Sequence, residues 1–174
     1  IHANKSKLKC ISMKVTPKNI GKLLEESNKF LMPEQCNLLS LDIDSNDYYI
    51  LSEITKLQKF DCLVIEYNAN WGKYNSIYSK YEEDFNRAHG DYYGMSLKAA
   101  INLLKDYTLV CCNVTGVNAF FINNRHLQYF GDCLYENPCD HYMPPTHKYH
   151  NFRVGGSLTT IQSFYKNQTM ACHD

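Results

Sequence analysis

The stretch from Leu38 to Leu57, LLSLDIDSNDYYILSEITKL, constrains the fold more than any other part of the chain. An apolar run, Leu38-Leu39-Ser40-Leu41, passes directly into three carboxylates, Asp42, Asp44 and Asp47. Ile50, Leu51, Ile54 and Leu57 then recur at i, i+4 and i+7, the spacing of one helix face. Ser45 or Asp47 can cap that helix, because a side-chain oxygen there accepts a free amide of the first turn. A buried strand that ends in polar groups and turns into a helix is half of a βαβ unit. In open parallel sheets, ligands sit outside the carboxyl ends of the strands. The turn after Leu41 is therefore where a small-molecule site is expected.

A second strand of the same kind follows at Asp61–Asn68, DCLVIEYN, and also ends in polar groups, Glu66 and Asn68. Two such strands joined by a helix predict a parallel pair covered on both faces. Upstream, Thr16-Pro17 predicts a helix start, with Pro33 as its stop, and Cys10–Met13 is a short candidate edge strand. Residues 70–91 form a long polar and aromatic insertion, a length that points to a binding loop or lid. Ser96 caps an amphipathic helix over 96–105. Tyr107–Cys112 and Asn118–Asn123 are two further strands, and the five residues between them, including Gly116, suit a hairpin. From Gly131 the composition shifts to Pro, His, Tyr, Asn and Cys. These features predict an α/β domain over 1–130 and a loop-rich, disulfide-pinned tail over 131–174.

Charge and cysteine usage narrow the function classes. Lys plus Arg and Asp plus Glu number 18 each, so no basic excess exists to neutralise a phosphate backbone, which disfavours nucleic acid as a partner. No apolar run approaches the ~20 residues of a membrane span. Eight cysteines without a CxxC pair exclude the usual zinc-ribbon and thioredoxin patterns. Together with three glycosylation sequons, at Asn4, Asn113 and Asn167, they point to a secreted or luminal glycoprotein carrying N-linked glycans. Cys133 and Cys139 are close enough in sequence to close a small disulfide loop.

The order of strand, DxDxxD turn, helix, EYN strand, long loop, YYGxSL helix and hairpin resembles the carboxyl half of class I S-adenosylmethionine-dependent methyltransferases. It is closest to the FkbM-like group. LLSLDIDSNDYYI (38–50), LVIEYNANWG (63–72), YYGMSL (92–97) and GVNAFFINN (116–124) carry the resemblance. It implies a partial Rossmann-like, mainly parallel sheet with flanking helices and a C-terminal antiparallel hairpin. It also implies that acidic residues at this sheet edge line a substrate and metal region. In the family the cofactor lies on a glycine-rich turn, where backbone must approach the ligand closely. This chain has no GxG, and Ser45 replaces the glycine of the DxDG turn. No cofactor is therefore expected for this chain alone; a complete enzyme would use S-adenosylmethionine and a divalent cation.

Several residues are candidates for the site. Asp42, Asp44 and Asp47 can together ligate a hard cation, Asp42 and Asp44 from one strand face; equally, Asp42 can satisfy backbone amides and Asp47 can cap the helix. Glu66 and Asn68 share the neighbouring strand end, and Glu66 is a candidate base. His89 is a second candidate base, by position only. Trp71 and Tyr93 stand for the aromatic contact surface of the insertion. The leading expectation is a methyltransferase-like binding module without methyl transfer by this chain alone. The alternatives are an O-methyltransferase whose cofactor-binding half is missing from this chain, and a cation-dependent hydrolase using Asp42, Asp44 and Glu66.

Overall fold

The computed structural model describes residues 9–30, 37–84, 92–131 and 134–145, together with the backbone of 171–172. The main body is one four-stranded sheet. Its strands are β1 (Leu38–Leu41), β2 (Cys62–Glu66), β4 (Tyr107–Cys112) and β5 (Asn118–Asn123), in the spatial order β1-β2-β5-β4. Helix α1 (Ile20–Asn28) precedes β1, α2 (Asp47–Leu57) joins β1 to β2, and α3 (Leu97–Leu103) precedes β4. A two-residue strand β3 (Ile77–Tyr78) pairs with β6 (Ala171–Cys172).

The predicted β1-α2-β2 unit forms as a parallel pair, with Leu41 opposite Ile65. The expectation of a mainly parallel sheet is corrected: β5 lies between β2 and β4 and runs antiparallel to both. One pairing is parallel and two are antiparallel. The reason is the short β4–β5 connection, which folds β5 straight back along β4. β5 then offers its other edge to β2, with Phe121 opposite Leu63 and Ala119 opposite Ile65. Consequently β1, β2 and β4 point the same way and β5 alone is reversed.

The core lies on one face of this sheet. Leu41, Leu63, Ile65, Leu109, Ala119 and Phe121 are buried there against Ile50, Leu51 and Ile54 of α2 and Leu97 and Ala100 of α3. Each fully buried aliphatic side chain contributes roughly 1.5–3 kcal/mol. On the opposite face Ile122 is buried, Val64, Thr108, Val110 and Phe120 are half-buried and Ser40 is exposed, so among the described residues this face is covered less completely than the inner one. A bulge between Leu109 and Cys111 shifts the β4 register and returns Cys112 to the inner face.

Local chemistry moved two helix starts. α1 begins at Ile20 rather than at Pro17, because Asn19 closes the preceding turn: its Oδ1 accepts from the Thr16 amide at 2.8 Å and its Nδ2 donates to the Lys14 carbonyl at 2.8 Å. α2 begins at Asp47 itself, with Asn46 as the flanking residue. Ser96 caps α3 as expected, its Oγ accepting from Ala99 N at 3.1 Å. Cys10–Met13 forms no strand.

At the amino end of β2, buried Asp61 gathers three groups. It accepts from the Asn37 amide at 2.9 Å, meets His126 Nε2 at 2.5 Å and pairs with the Arg125 guanidinium. Burial pushes its carboxyl up, but the Asn37 amide, His126 and Arg125 outweigh that and hold it at about 2. This end of the sheet is thus closed by an ion-pair clamp, and the opposite, carboxyl end is left for other chemistry.

Candidate acidic site at the carboxyl end of the sheet

Between Leu41 and α2 the chain makes the turn Asp42-Ile43-Asp44-Ser45-Asn46. Asp44 adopts φ 63°, a left-handed conformation that Asp tolerates better than most residues. The turn is held from inside by Asp47. Its carboxylate is 1% exposed and accepts from Ile43 N at 2.9 Å and Ser45 N at 3.0 Å. Burial raises the Asp47 carboxyl above its ordinary range, and those two amides oppose the shift. From outside, Asn46 exchanges two hydrogen bonds with the backbone of Glu82, and Gly94 N donates to the Ser45 carbonyl at 3.1 Å.

This arrangement aims Asp42 and Asp44 at Glu66, the last residue of β2. Carboxylate oxygens of all three lie within 4.8 Å of one another. Asp42 is exposed, while Asp44 and Glu66 are half-buried. Burial, then the charges of Asp42, Asp47 and Asp44, push the Glu66 carboxyl up to about 8. At neutral pH, Glu66 therefore holds a proton that a bound cation would displace.

The sign of the resulting pH dependence is fixed. The folded-state value of about 8 lies above the ordinary 4.5, so this group favours the folded state when protonated. Its contribution is complete below pH 4.5 and is lost as pH rises toward 8. A Glu66→Gln variant is expected to be more stable than wild type at pH 9, by about 1–2 kcal/mol after solvent screening. Near pH 5 the difference should vanish, as followed by urea denaturation across pH.

The remaining candidates fall into place around this corner. Asn68 is buried and structural: its Nδ2 donates to the Tyr93 carbonyl at 3.1 Å, its Oδ1 accepts from Asn70 N at 3.1 Å, and its own amide donates to the Met95 carbonyl at 2.7 Å. Tyr93 is half-buried and contributes that carbonyl. Trp71 is 3% exposed and packs edge-on to Tyr92, so it is core and not contact surface. Asn113 sits at the start of the β4–β5 turn, its Oδ1 accepting from Val117 N and Asn118 N. Cys139 is buried with a free thiol. His89, Cys133, Asn4 and Asn167 lie outside the described residues.

Sequence reasoning missed what roofs this end of the sheet. The Tyr67 hydroxyl donates to the Met143 carbonyl at 2.9 Å and accepts from Met143 N at 3.3 Å, while Tyr142 donates to the Ala69 carbonyl at 2.7 Å. Hydrogen bonds thus seat the described part of the tail. The Tyr67 phenol is pushed up by burial and by Cys112. A cleft of about 570 Å³ opens beside Asp44, walled by residues 13–15, the turn after β1 and Glu83–Asp84. Nothing local signals it, because its walls are separated widely in sequence.

Three clustered oxygen donors, with no thiol or imidazole joining them among the described residues, match a hard cation such as Mg²⁺, Ca²⁺ or Mn²⁺. Among the described residues, no glycine-rich turn lies at this end of the sheet. The turns after β1 and β2, Asp42–Asn46 and Tyr67–Asn70, contain no glycine where backbone would have to approach a ligand. No helix among the described residues is long and apolar enough to cross a membrane. Comparison with protein-family models, curated proteins and solved structures finds no match to this chain.

Proposed function

We propose that this chain is a methyltransferase-like binding module whose acidic corner holds a hard divalent cation, without methyl transfer by the chain alone. One observation carries the reading: the four stretches on which the methyltransferase resemblance rests hydrogen-bond to one another around that corner. Gly94 of YYGMSL donates to Ser45 of the first stretch, and Asn68 of the second bonds Tyr93 and Met95 of the third. Tyr67 N donates to the Val117 carbonyl of the fourth at 2.8 Å. Asp42, Asp44 and Glu66 stand where the stretches meet.

When bound, the cation supplies a Lewis acid that orients an oxygen ligand. Asp42 and Asp44 would hold it, Asp47 fixes the turn that carries them, and Glu66, the third carboxylate of the cluster, would release its proton to solvent on joining them. The value of about 8 for Glu66 also favours a second reading, in which Glu66 is the general base of an O-methyltransferase whose cofactor half comes from elsewhere. We propose likewise that the chain is secreted or luminal and carries N-linked glycans. Asn113 is half-buried with its Oδ1 engaged by Val117 N and Asn118 N, and Val114 beside it is 76% exposed at the hairpin tip; intact mass before and after glycosidase treatment checks whether this sequon carries a glycan.

Calorimetric titration tests the first reading. The expected result is heat with Ca²⁺, Mg²⁺ or Mn²⁺, abolished in Asp44→Asn, and none with S-adenosylmethionine. Micromolar binding of S-adenosylmethionine by this chain would overturn the proposal.

A further inference from the structure

A second cleft lies between the start of α2, β3 and α3, and it shares no lining residue with the acidic corner. It encloses about 550 Å³, a volume within the range of small-molecule sites. One wall is aromatic. The rings of Tyr48 and Tyr78 stack 3.7 Å apart at 4° from parallel. Ala99 and Leu103 of α3 extend this apolar surface.

The charged groups of the lining are Lys98 and Lys105, both cationic. Neither pairs with a carboxylate among the described residues, and Asp106, next to Lys105, is taken by Lys59. In a chain of zero formal net charge, this makes the cleft locally electropositive. Two further lining residues pair with each other: Asn102 Nδ2 donates to Ser76 Oγ at 3.0 Å. The Ser76 oxygen is thereby engaged as an acceptor, and its hydroxyl proton remains to be donated.

We propose that this cleft binds a small organic anion in which an apolar ring carries a phosphate or carboxylate. The ring rests on the Tyr48–Tyr78 wall, and the anionic group lies between Lys98 and Lys105 with Ser76 as a neutral donor. An apolar ligand would leave both ammonium groups without a counter-charge. A bare anion would leave the aromatic wall unused. The combination uses every feature of the lining, and it stands whether or not the acidic corner holds a cation.

Phenyl phosphate is the probe, titrated into ¹⁵N-labelled protein, with inorganic phosphate and benzyl alcohol as controls. Saturable shifts are expected at residues 76–78 and 97–105, with each control at least about tenfold weaker. Replacing both lysines, Lys98→Glu with Lys105→Glu, should weaken phenyl phosphate about a hundredfold, roughly tenfold for each charge-assisted contact. The Lys98→Gln with Lys105→Gln pair should also lose at least about tenfold while melting like wild type, which excludes unfolding as the cause. Three results would overturn the proposal: no saturable shift, equal binding of inorganic phosphate, or unchanged affinity in the Gln pair.

Discussion

An Asp47→Ala variant is expected to lose about 3 kcal/mol of folding stability, since each buried amide left unpartnered costs roughly 1–3 kcal/mol. Asp47 is 1% exposed, and its two oxygens serve the amides of Ile43 and Ser45 separately. Alanine removes both acceptors and leaves a void where water has little access. The turn that holds Asp42 and Asp44 would lose its inner support, so the cation response should disappear as well. Asp47→Asn discriminates between acceptor and charge. The amide keeps one acceptor oxygen and relieves a buried charge, so roughly half the loss is expected. Chemical denaturation reads this as a lower midpoint at unchanged slope. An alanine variant as stable as wild type would mean that the turn does not depend on Asp47.

The second large effect belongs to Gly116 in the β4–β5 turn. Its φ is +70°, and a Cβ placed there would lie 2.4 Å from the Pro144 carbonyl oxygen and 2.7 Å from that of Met143. Both obstacles are backbone, so neither can rotate away. Gly116→Ala therefore combines the left-handed penalty of ~1–2 kcal/mol with displacement of 143–144 from Tyr67, about 3 kcal/mol or more in sum. Gly94 supplies the control: it has φ +69° but nothing within 4 Å of its Cβ position. Gly94→Ala should thus cost only the backbone part, ~1–2 kcal/mol. The gap between the two variants measures how tightly the 143–144 segment is seated. Equal losses would show that the close approach carries no energy.

How much of this was legible in the sequence depends on the range of the interaction. The β1-α2-β2 unit was, because an apolar strand, a polar turn and a 3.6-residue period are all local signals, and Ile50, Leu51 and Ile54 pack where that period places them. The β4–β5 hairpin and the Ser96 cap were legible for the same reason. The pairing of β5 with β2 was not: NAFFIN reads as a strand in any position, and its partner lies more than fifty residues away. Asp42, Asp44 and Glu66 were found together because two strand ends in one parallel pair must be neighbours. Asp47 reads from sequence as a helix cap or a third cation ligand, yet it faces inward, where its oxygens accept from the turn amides of Ile43 and Ser45. Trp71 looked like a contact residue because its neighbours are polar. Only the tertiary fold, which packs it against Tyr92, makes it core.

As proposed above, the carboxyl ends of β1 and β2 form one cation site. Mn²⁺ added substoichiometrically to ¹⁵N-labelled protein tests it most directly, because paramagnetic broadening reports where the ion resides. Broadening is predicted first at the amides of Asp42 to Ser45 and of Glu66 and Tyr67, and its loss is predicted in Asp44→Asn. Broadening that begins at Glu83 and Asp84, or that persists unchanged in Asp44→Asn, would place the ion elsewhere and rule out a site at these strand ends.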